Sequence, residues 1–523
     1  MTARGRSTYA FAATVALLAG AFVAISIVRS VEPFGMDQGC FACFARWVSR
    51  GWLPYRDVFD SKAPLFVYTW TLVAAIPGDI EHAAWWFEAA WLVATLGVAF
   101  HVASRLWGRW AGVAAAALLF AGLWSPSWGG YWSRAQSEEL LAIPMMLSAW
   151  LAWRAVDRAP FALWAGVLAG VAGCFKIPSM AIVLAWTVTW IACVPMRGAL
   201  GRIARLAAGV ALPWALVFGW FALHHATKDF VDAVFVYQSY HARYIAPSWG
   251  SVLGGFSSTM LLQGSLLIVA GGIGLLRLIR RRAREAHWVA AWMVTTLAAI
   301  VMQRQLAPYH YLLAMPPLAL AGGYGLADLA RSATDASQRP AFAMAGLLGL
   351  AVLGARDAVS WWHAYSPDAA YLAGNLPRET YLRGFEPAEY AATEEEAARY
   401  LREHSAPSDG VLVWGLSPGI YALSDRPPAT RYVFHKLLVT DAPVSRMWPG
   451  LDERRVHFME RLRADPPLYI LVGRGDSNGF EPSDSYATMT RFRDLRDFVE
   501  QGYHVETKIG RFLVCRRGPA VAP

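Results

Sequence analysis

From Tyr9 to Val28 the chain runs for 20 residues without a charged side chain. At 1.5 Å per residue, a helix of that length crosses about 30 Å of hydrocarbon. Arg4 and Arg6 precede the run and no small-x-small cleavage site follows it, so it predicts a retained first span with a cytoplasmic N-terminus. Similar apolar runs recur near residues 82–104, 110–124, 139–153, 161–175, 178–195, 206–223, 253–276, 288–302, 310–328 and 340–356, making about eleven spans with the first. A chain of 523 residues that is 56% hydrophobic, with 25 Trp and a mean hydropathy of +0.33, is therefore read as an α-helical polytopic membrane protein. Its formal charge of +9 lies in short basic clusters between the apolar runs, as membrane topology demands, and this argues against a nucleic-acid partner.

Those clusters also set the orientation. The run Leu65 to Ile76 is short for a span and is broken by Pro77–Gly78, so it reads as a helix at the outer surface. It follows an amphipathic stretch in which Phe41, Phe44, Trp47 and Val48 share one face while Arg46 and Arg50 point elsewhere. With residues 63–77 kept outside, the basic pairs and clusters at Arg105 and Arg109, Arg154 and Arg158, 197–205, 277–284 and 331–339 all fall on the cytoplasmic side. Counting 63–77 as a span would invert every later loop. The outer face then collects residues 29–62, 125–138, 224–252 and 303–309.

These outer loops carry the chemistry. The first holds Met36–Asp37–Gln38–Gly39 and the passage Tyr55–Arg56–Asp57–Val58–Phe59–Asp60–Ser61–Lys62–Ala63–Pro64; charges held against a bilayer mark function by default. In the second, Arg134 and Glu138 stand four apart at the mouth of a span, either as a helix-face pair or as substrate ligands. The third alternates aromatics with Gln238, His241 and Arg243, which suits sugar or lipid head groups and equally an interfacial belt. The fourth puts Arg304, Tyr309, His310 and Tyr311 at an outer helix end, a chemistry that binds phosphate. Lys176, between two apolar runs at the same level, either snorkels to the interface or points inwards. Five scattered cysteines give neither a disulfide framework nor a zinc pattern, and Cys40 and Cys43 read as two small apolar residues on one helix.

Residues 1–356 thus form a transmembrane domain, and residues 357–523, richer in charge, a soluble domain on the outer side. Within the latter, strands are predicted at Val411–Trp414, Tyr469–Val472, His504–Lys508 and Phe512–Cys515. Helices are predicted at Thr393–Glu403, near 451–464 and near 490–501, the first opening on a capping box at Thr393–Glu396. That alternation describes a small α/β domain.

Taken together, an acidic residue soon after the first span, the Tyr-Arg-Asp…Asp-x-Lys-x-Pro passage, an acidic residue in the second outer loop and Tyr-His-Tyr at an outer helix end resemble the GT-C membrane glycosyltransferases. Within that class the chain is most similar to the bacterial branch related to protein O-mannosyltransferases and lipid A aminoarabinose transferases, glycosyltransferase family 39 and its relatives, over approximately residues 8–330. Val413–Trp414–Gly415…Tyr421…Arg426–Pro427–Pro428…Arg431–Tyr432 also resembles the soluble tail of some bacterial members. The chain departs from many relatives in having Asp37–Gln38 for Asp-Glu, one carboxylate fewer, and Lys62–Ala63–Pro64 for Lys-Pro-Pro.

The resemblance implies a GT-C fold in the cytoplasmic (inner) membrane with the active site outside. It further implies a sugar donor on a polyprenyl monophosphate, an envelope acceptor (lipid, glycan or protein) and inversion at the anomeric carbon. Asp37 is then the general base, Lys62, Arg304 and His310 hold the donor phosphate, and Tyr55, Arg56, Asp60, Arg134, Glu138 and His241 contact substrate. Cationic side chains on the phosphate would make a metal unnecessary, and no dedicated metal cluster is visible, so a divalent ion stays an open alternative. A polytopic transporter or flippase for lipid-linked sugars should show internal repeats or broken mid-membrane helices. A non-catalytic envelope assembly protein would leave Asp37, Lys62 and Glu138 on one face unexplained.

Overall fold

A computed structural model describes residues 3–128, 130–240, 247–335, 340–386, 390–439, 450–477 and 483–518. Helix α1 (Ala3–Arg29) contains the opening apolar run. It is followed by α2 (Met36–Ser49), α3 (Pro64–Ala74), α4 (Ile80–Trp107), whose first turn is capped by Asp79 accepting from the Glu81 and His82 amides, and α5 (Arg109–Leu123). Among the described residues, seven helices are long and apolar enough to cross a membrane, or eight if a bent pair counts as one. Pro64–Ala74, Arg109–Leu123, Phe161–Phe175 and Ile177–Cys193 are shorter apolar helices, so the expected number of eleven spans is not reached by length alone.

Small residues set how closely these helices approach. A Cβ on Gly166 would fall 2.2 Å from the Leu206 carbonyl oxygen, and one on Gly323 2.6 Å from that of Ala111, so both helix pairs touch backbone to backbone.

The basic loops meet at one end of the bundle. Arg284 pairs with Asp157 at 3.4 Å, Arg202 donates to Ala155 O at 2.6 Å, Arg277, Arg281 and Arg331 surround the buried Asp328, and Trp107 lies against Trp288 and Tyr324. The polar loops, with Asp37, Lys62, Gln136, Lys176 and Tyr309, gather at the other.

Three expectations change in detail. The run 253–276 is two helices, Trp249–Gln263 and Ser265–Arg280, bent by 88°. A Cβ on Gly264 would lie 2.9 Å from the Trp128 ring, which stacks on Tyr311, so the bend sits at the polar end of the bundle and not in its middle. The last apolar helix continues past residue 356 to Leu372, its upper turns held by the Tyr365 hydroxyl donating to Trp124 O. The amphipathic α2 is buried on both faces along most of its length. Gly39, Cys40, Ala42 and Cys43 are as buried as Phe41 and Phe44, because the C-terminal domain covers the side opposite α3.

That domain is α/β, with strands β1 (Val411–Trp414), β2 (Tyr469–Gly473), β3 (Tyr503–Ile509) and β4 (Phe512–Arg517) in the order β1-β2-β4-β3. β1 and β2 are parallel and the other pairings antiparallel, so the four strands and the helix at 451–464 stand where the sequence puts them. The helix predicted from Thr393 begins at Ala391, with Tyr390 as its N-cap; Thr393 does not cap, and instead packs under the Gly510 turn. The domain grips the polar end of the bundle. A Cβ on Gly39 would lie 2.7 Å from Gly419 Cα, Arg46 and Arg50 both reach Asp425, Arg431 O accepts from the Phe59 amide at 2.8 Å, and Arg431 and Arg454 pair with Asp229 and Asp232.

Candidate active site

Asp37 occupies the first turn of α2, where the unpaired amides of a helix N-terminus favour a carboxylate. Three other segments converge on it. Gln136, from the loop before the helix Ser137–Leu140, donates its carboxamide to Asp37 Oδ2 at 2.9 Å; Lys62 Nζ stands 3.9 Å from the same oxygen and 3.4 Å from Gln136 Oε1. Tyr309 stands beside the Asp37 carboxylate, and its ring lies 5.2 Å from Lys62 Nζ and 5.5 Å from Lys176 Nζ. Lys176 in turn is paired with the fully buried Glu138. The cluster is open on one side: the Asp37 side chain is 34% exposed and that of Lys62 19%.

Electrostatics act in opposite senses on the two lysines and leave one carboxyl poised. Burial works against the Lys62 ammonium, but Tyr309, Asp37, Asp60 and Glu138 around it outweigh that and hold its pKa above the ordinary range. Asp60, buried behind it, is pushed up from 3.8 to about 6, chiefly by loss of solvent and against the pull of Lys62. Lys176 is lowered from its usual value, burial prevailing over Glu138.

The structure brings Asp37, Lys62 and Glu138 together, with Asp60 behind them. It gives the others different surroundings. Tyr55, at φ +71°, is buried against Phe221 and Phe230, and its hydroxyl donates to Lys62 O at 2.8 Å, so it fixes the lysine's backbone. Arg56 is turned to the rim, paired with Asp57 at 2.9 Å and reaching His224 O. Arg304 donates to Pro247 O and lies over Trp249, at the foot of the bent helix pair. His310 is buried edge-on to Tyr309 and backs that ring. His241 falls outside the described residues.

Arg134 requires the clearest correction. It does not pair with Glu138 and does not face open space. The residue is 2% exposed, and its guanidinium lies 3.8 Å from the Trp85 ring centroid and donates to Glu88, to Glu32 at 2.7 Å and to Arg29 O at 2.5 Å. Arg29 closes the ring by pairing with Glu32. Each nitrogen of Arg134 thus donates inside the protein, to α1, α4 and the link to α2. Nothing in the sequence marks Gln136, or Tyr309 on its own, and Lys176 stands out only as a charged residue at a helix junction of the right level. Among the described residues no three His, Cys, Asp or Glu side chains form a group fit for a metal ion.

No protein-family model matches the chain, and no curated protein matches it in sequence. Among solved structures it is similar to ArnT from Cupriavidus metallidurans bound to undecaprenyl phosphate, with a TM-score of 0.62 at 17% identity over 97% of this chain and 99% of that one. The apo state of that protein gives 0.61 at 16% identity, over 99% and 100%. It is also similar to the oligosaccharyltransferase AglB from Archaeoglobus fulgidus, in complex with an inhibitory peptide and a dolichol-phosphate, at 0.50 and 12% identity, over 99% of this chain and 75% of that one. The likeness is one of fold: the chain has the GT-C architecture, with its helical membrane part and its C-terminal α/β domain both included in the match.

Proposed function

We propose that the protein is an integral-membrane glycosyltransferase. It moves a sugar from a polyprenyl-monophosphate carrier to a hydroxyl of an envelope acceptor, at the outer face of the cytoplasmic membrane. The observation that carries this reading is the convergence of one exposed carboxylate, Asp37, with two lysines, Lys62 and Lys176, from separate loops at one end of the bundle. The lipid-phosphate ligands of the two structural neighbours support it.

In this reaction the acceptor oxygen attacks the anomeric carbon from the face opposite the leaving group. The bond from that carbon to the phosphate oxygen breaks, and its electron pair stays on the phosphate. The acceptor's proton passes to Asp37, which must therefore be ionised at the start. Lys62 and Lys176 meet the growing charge on the departing phosphate, in a site partly shielded from water where such stabilisation is strong. The step as drawn calls for no metal.

The test uses membranes containing the full-length protein, a polyprenyl-monophosphate sugar labelled in the sugar, and an envelope extract. Label should appear on the acceptor with release of polyprenyl phosphate. Transfer from a nucleotide sugar without the lipid, or movement of the intact lipid-linked sugar across the bilayer without transfer, would overturn the reading.

A further inference from the structure

Gln136 is buried, precedes the helix Ser137–Leu140 at its N-cap position, and yet makes no cap hydrogen bond. Its side chain is spent elsewhere. Nε2 donates to Asp37 Oδ2 at 2.9 Å and to Trp132 O at 3.1 Å, while Oε1 accepts from Lys62 at 3.4 Å. Turning the amide over would set its NH2 against an ammonium and its oxygen against a carboxylate, so the two charged neighbours dictate its orientation.

The backbone that delivers it is held in an uncommon conformation. Ala135 has φ +49°, its carbonyl accepts from Trp70 Nε1 at 3.2 Å and its amide donates to Glu88 and Glu139. On the other side, Gln38 donates to Trp132 O and Arg134 O, both at 2.9 Å, tying this loop to the turn of α2 that bears Asp37. Strain of this kind in a non-glycine residue persists only where its surroundings over-determine it, and here they fix one side chain against two charges.

We propose that Gln136 is a positioning residue for the transfer step, an amide bridge that holds Asp37 and Lys62 in register and keeps them from collapsing into a closed ion pair. The inference rests on the reading of Asp37 and Lys62 given above. The lysine stays 3.9 Å from the carboxylate, so its charge remains available to a phosphate and the carboxylate remains available to a proton. An amide suits the place because it carries no charge, donates to one neighbour and accepts from the other. The groups facing Asp37 are Lys62 and Asp60 from the loop before α3, Tyr309, Lys176, and Cys40 on its own helix. Between two of these groups, Asp37 and Lys62, the Gln136 amide makes a hydrogen bond to each.

Two substitutions test it in membranes of the full-length protein, with the labelled polyprenyl-phosphate donor. Gln136→Glu keeps the shape and sets a second carboxylate against Asp37, so the acidic limb of the pH–rate profile should move upward by about one pH unit, as for paired carboxylates. Gln136→Leu removes the bridge, and kcat should fall by roughly 10- to 100-fold with the donor KM changed less than threefold, the scale on which a misplaced group loses rate. A Gln136→Leu protein that fails to accumulate leaves the pH profile of Gln136→Glu as the deciding measurement. An unmoved acidic limb in Gln136→Glu overturns the inference, and so does parental kcat in Gln136→Leu. A parent protein with no transfer from the lipid donor at all would instead overturn the glycosyltransferase reading, and this inference with it.

Discussion

Two ionic clusters lie side by side at the polar end of the bundle, and they differ in how completely they are satisfied. In the one around Arg134, the side chains of Arg134 and Glu88 are 1% and 0% exposed and the guanidinium is ringed by two carboxylates and a carbonyl. In the one around Lys62, the nearest carboxylate is 3.9 Å away, a neutral amide stands between the charges, and the cluster opens outward. A buried pair that has met all its partners has nothing left to offer a substrate; a cluster kept loose retains both a proton acceptor and a cation. The difference separates framework from chemistry where charge alone does not.

The sharpest way to break that comparison is to remove Arg134. Arg134→Ala leaves Glu32 and Glu88 buried without their main counter-charge, and losing one partner of such a pair costs about 3–5 kcal/mol. The variant should accumulate poorly and unfold early in detergent. If it instead folds as well as the parent and loses only transfer, Arg134 belongs to the substrate path.

Lys62 should behave in the opposite way. Lys62→Ala should insert and melt like the parent yet lose transfer by ~10²-fold with weaker use of the donor, in the range of one electrostatic contact to a developing anion. Lys62→Arg should retain part of the activity, since charge survives while geometry shifts. Parental turnover in both variants would remove the lysine from the reaction.

A smaller effect is expected where the C-terminal domain presses on the site. Gly39 is two residues beyond Asp37 and meets Gly419 backbone to backbone, so Gly39→Ala must push the domain away from α2. Overpacking of this kind costs typically 1–3 kcal/mol, and transfer should fall several-fold alongside a lowered melting temperature. Unchanged stability and rate would mean that the domain does not hold the helix bearing Asp37.

Much of this arrangement is legible in the residues. Apolar runs locate most helix ends to within a few positions, because hydrocarbon demands uninterrupted apolar length, but the helix ending at Leu223 begins at Met196 and the last helix runs on to Leu372. The alternation after residue 400 locates all four strands. Asp37, Lys62 and Glu138 stand out as charges at an interface. What the chain does not reveal is which charges meet. Arg134 and Glu138 look like helix-face neighbours, yet the turn at Ala135 sends one inward to Glu88 and the other to Lys176. Gln136 carries no charge and sits in no periodic pattern, so its place between Asp37 and Lys62 follows only from three loops closing on one another. The bend at Gly264 escapes notice for a similar reason, since it is demanded by Trp128 from a distant loop. Likewise Arg431, one of the tail residues that carried the resemblance, proves to hold the Lys62 loop through Phe59.

Asp37 is the proposed proton acceptor, and one substitution tests that role directly. Asp37→Asn keeps the volume and can still accept from Gln136, so the protein should insert and remain stable, but an amide does not take up the acceptor's proton. The measurement is labelled sugar moved from the polyprenyl-phosphate donor to an envelope extract, per amount of folded protein in the same membranes. A loss of about 10²-fold or more is the predicted result, given what a general base typically contributes. Transfer by the Asn variant at the parental rate would contradict it, and would make Asp37 part of the framework.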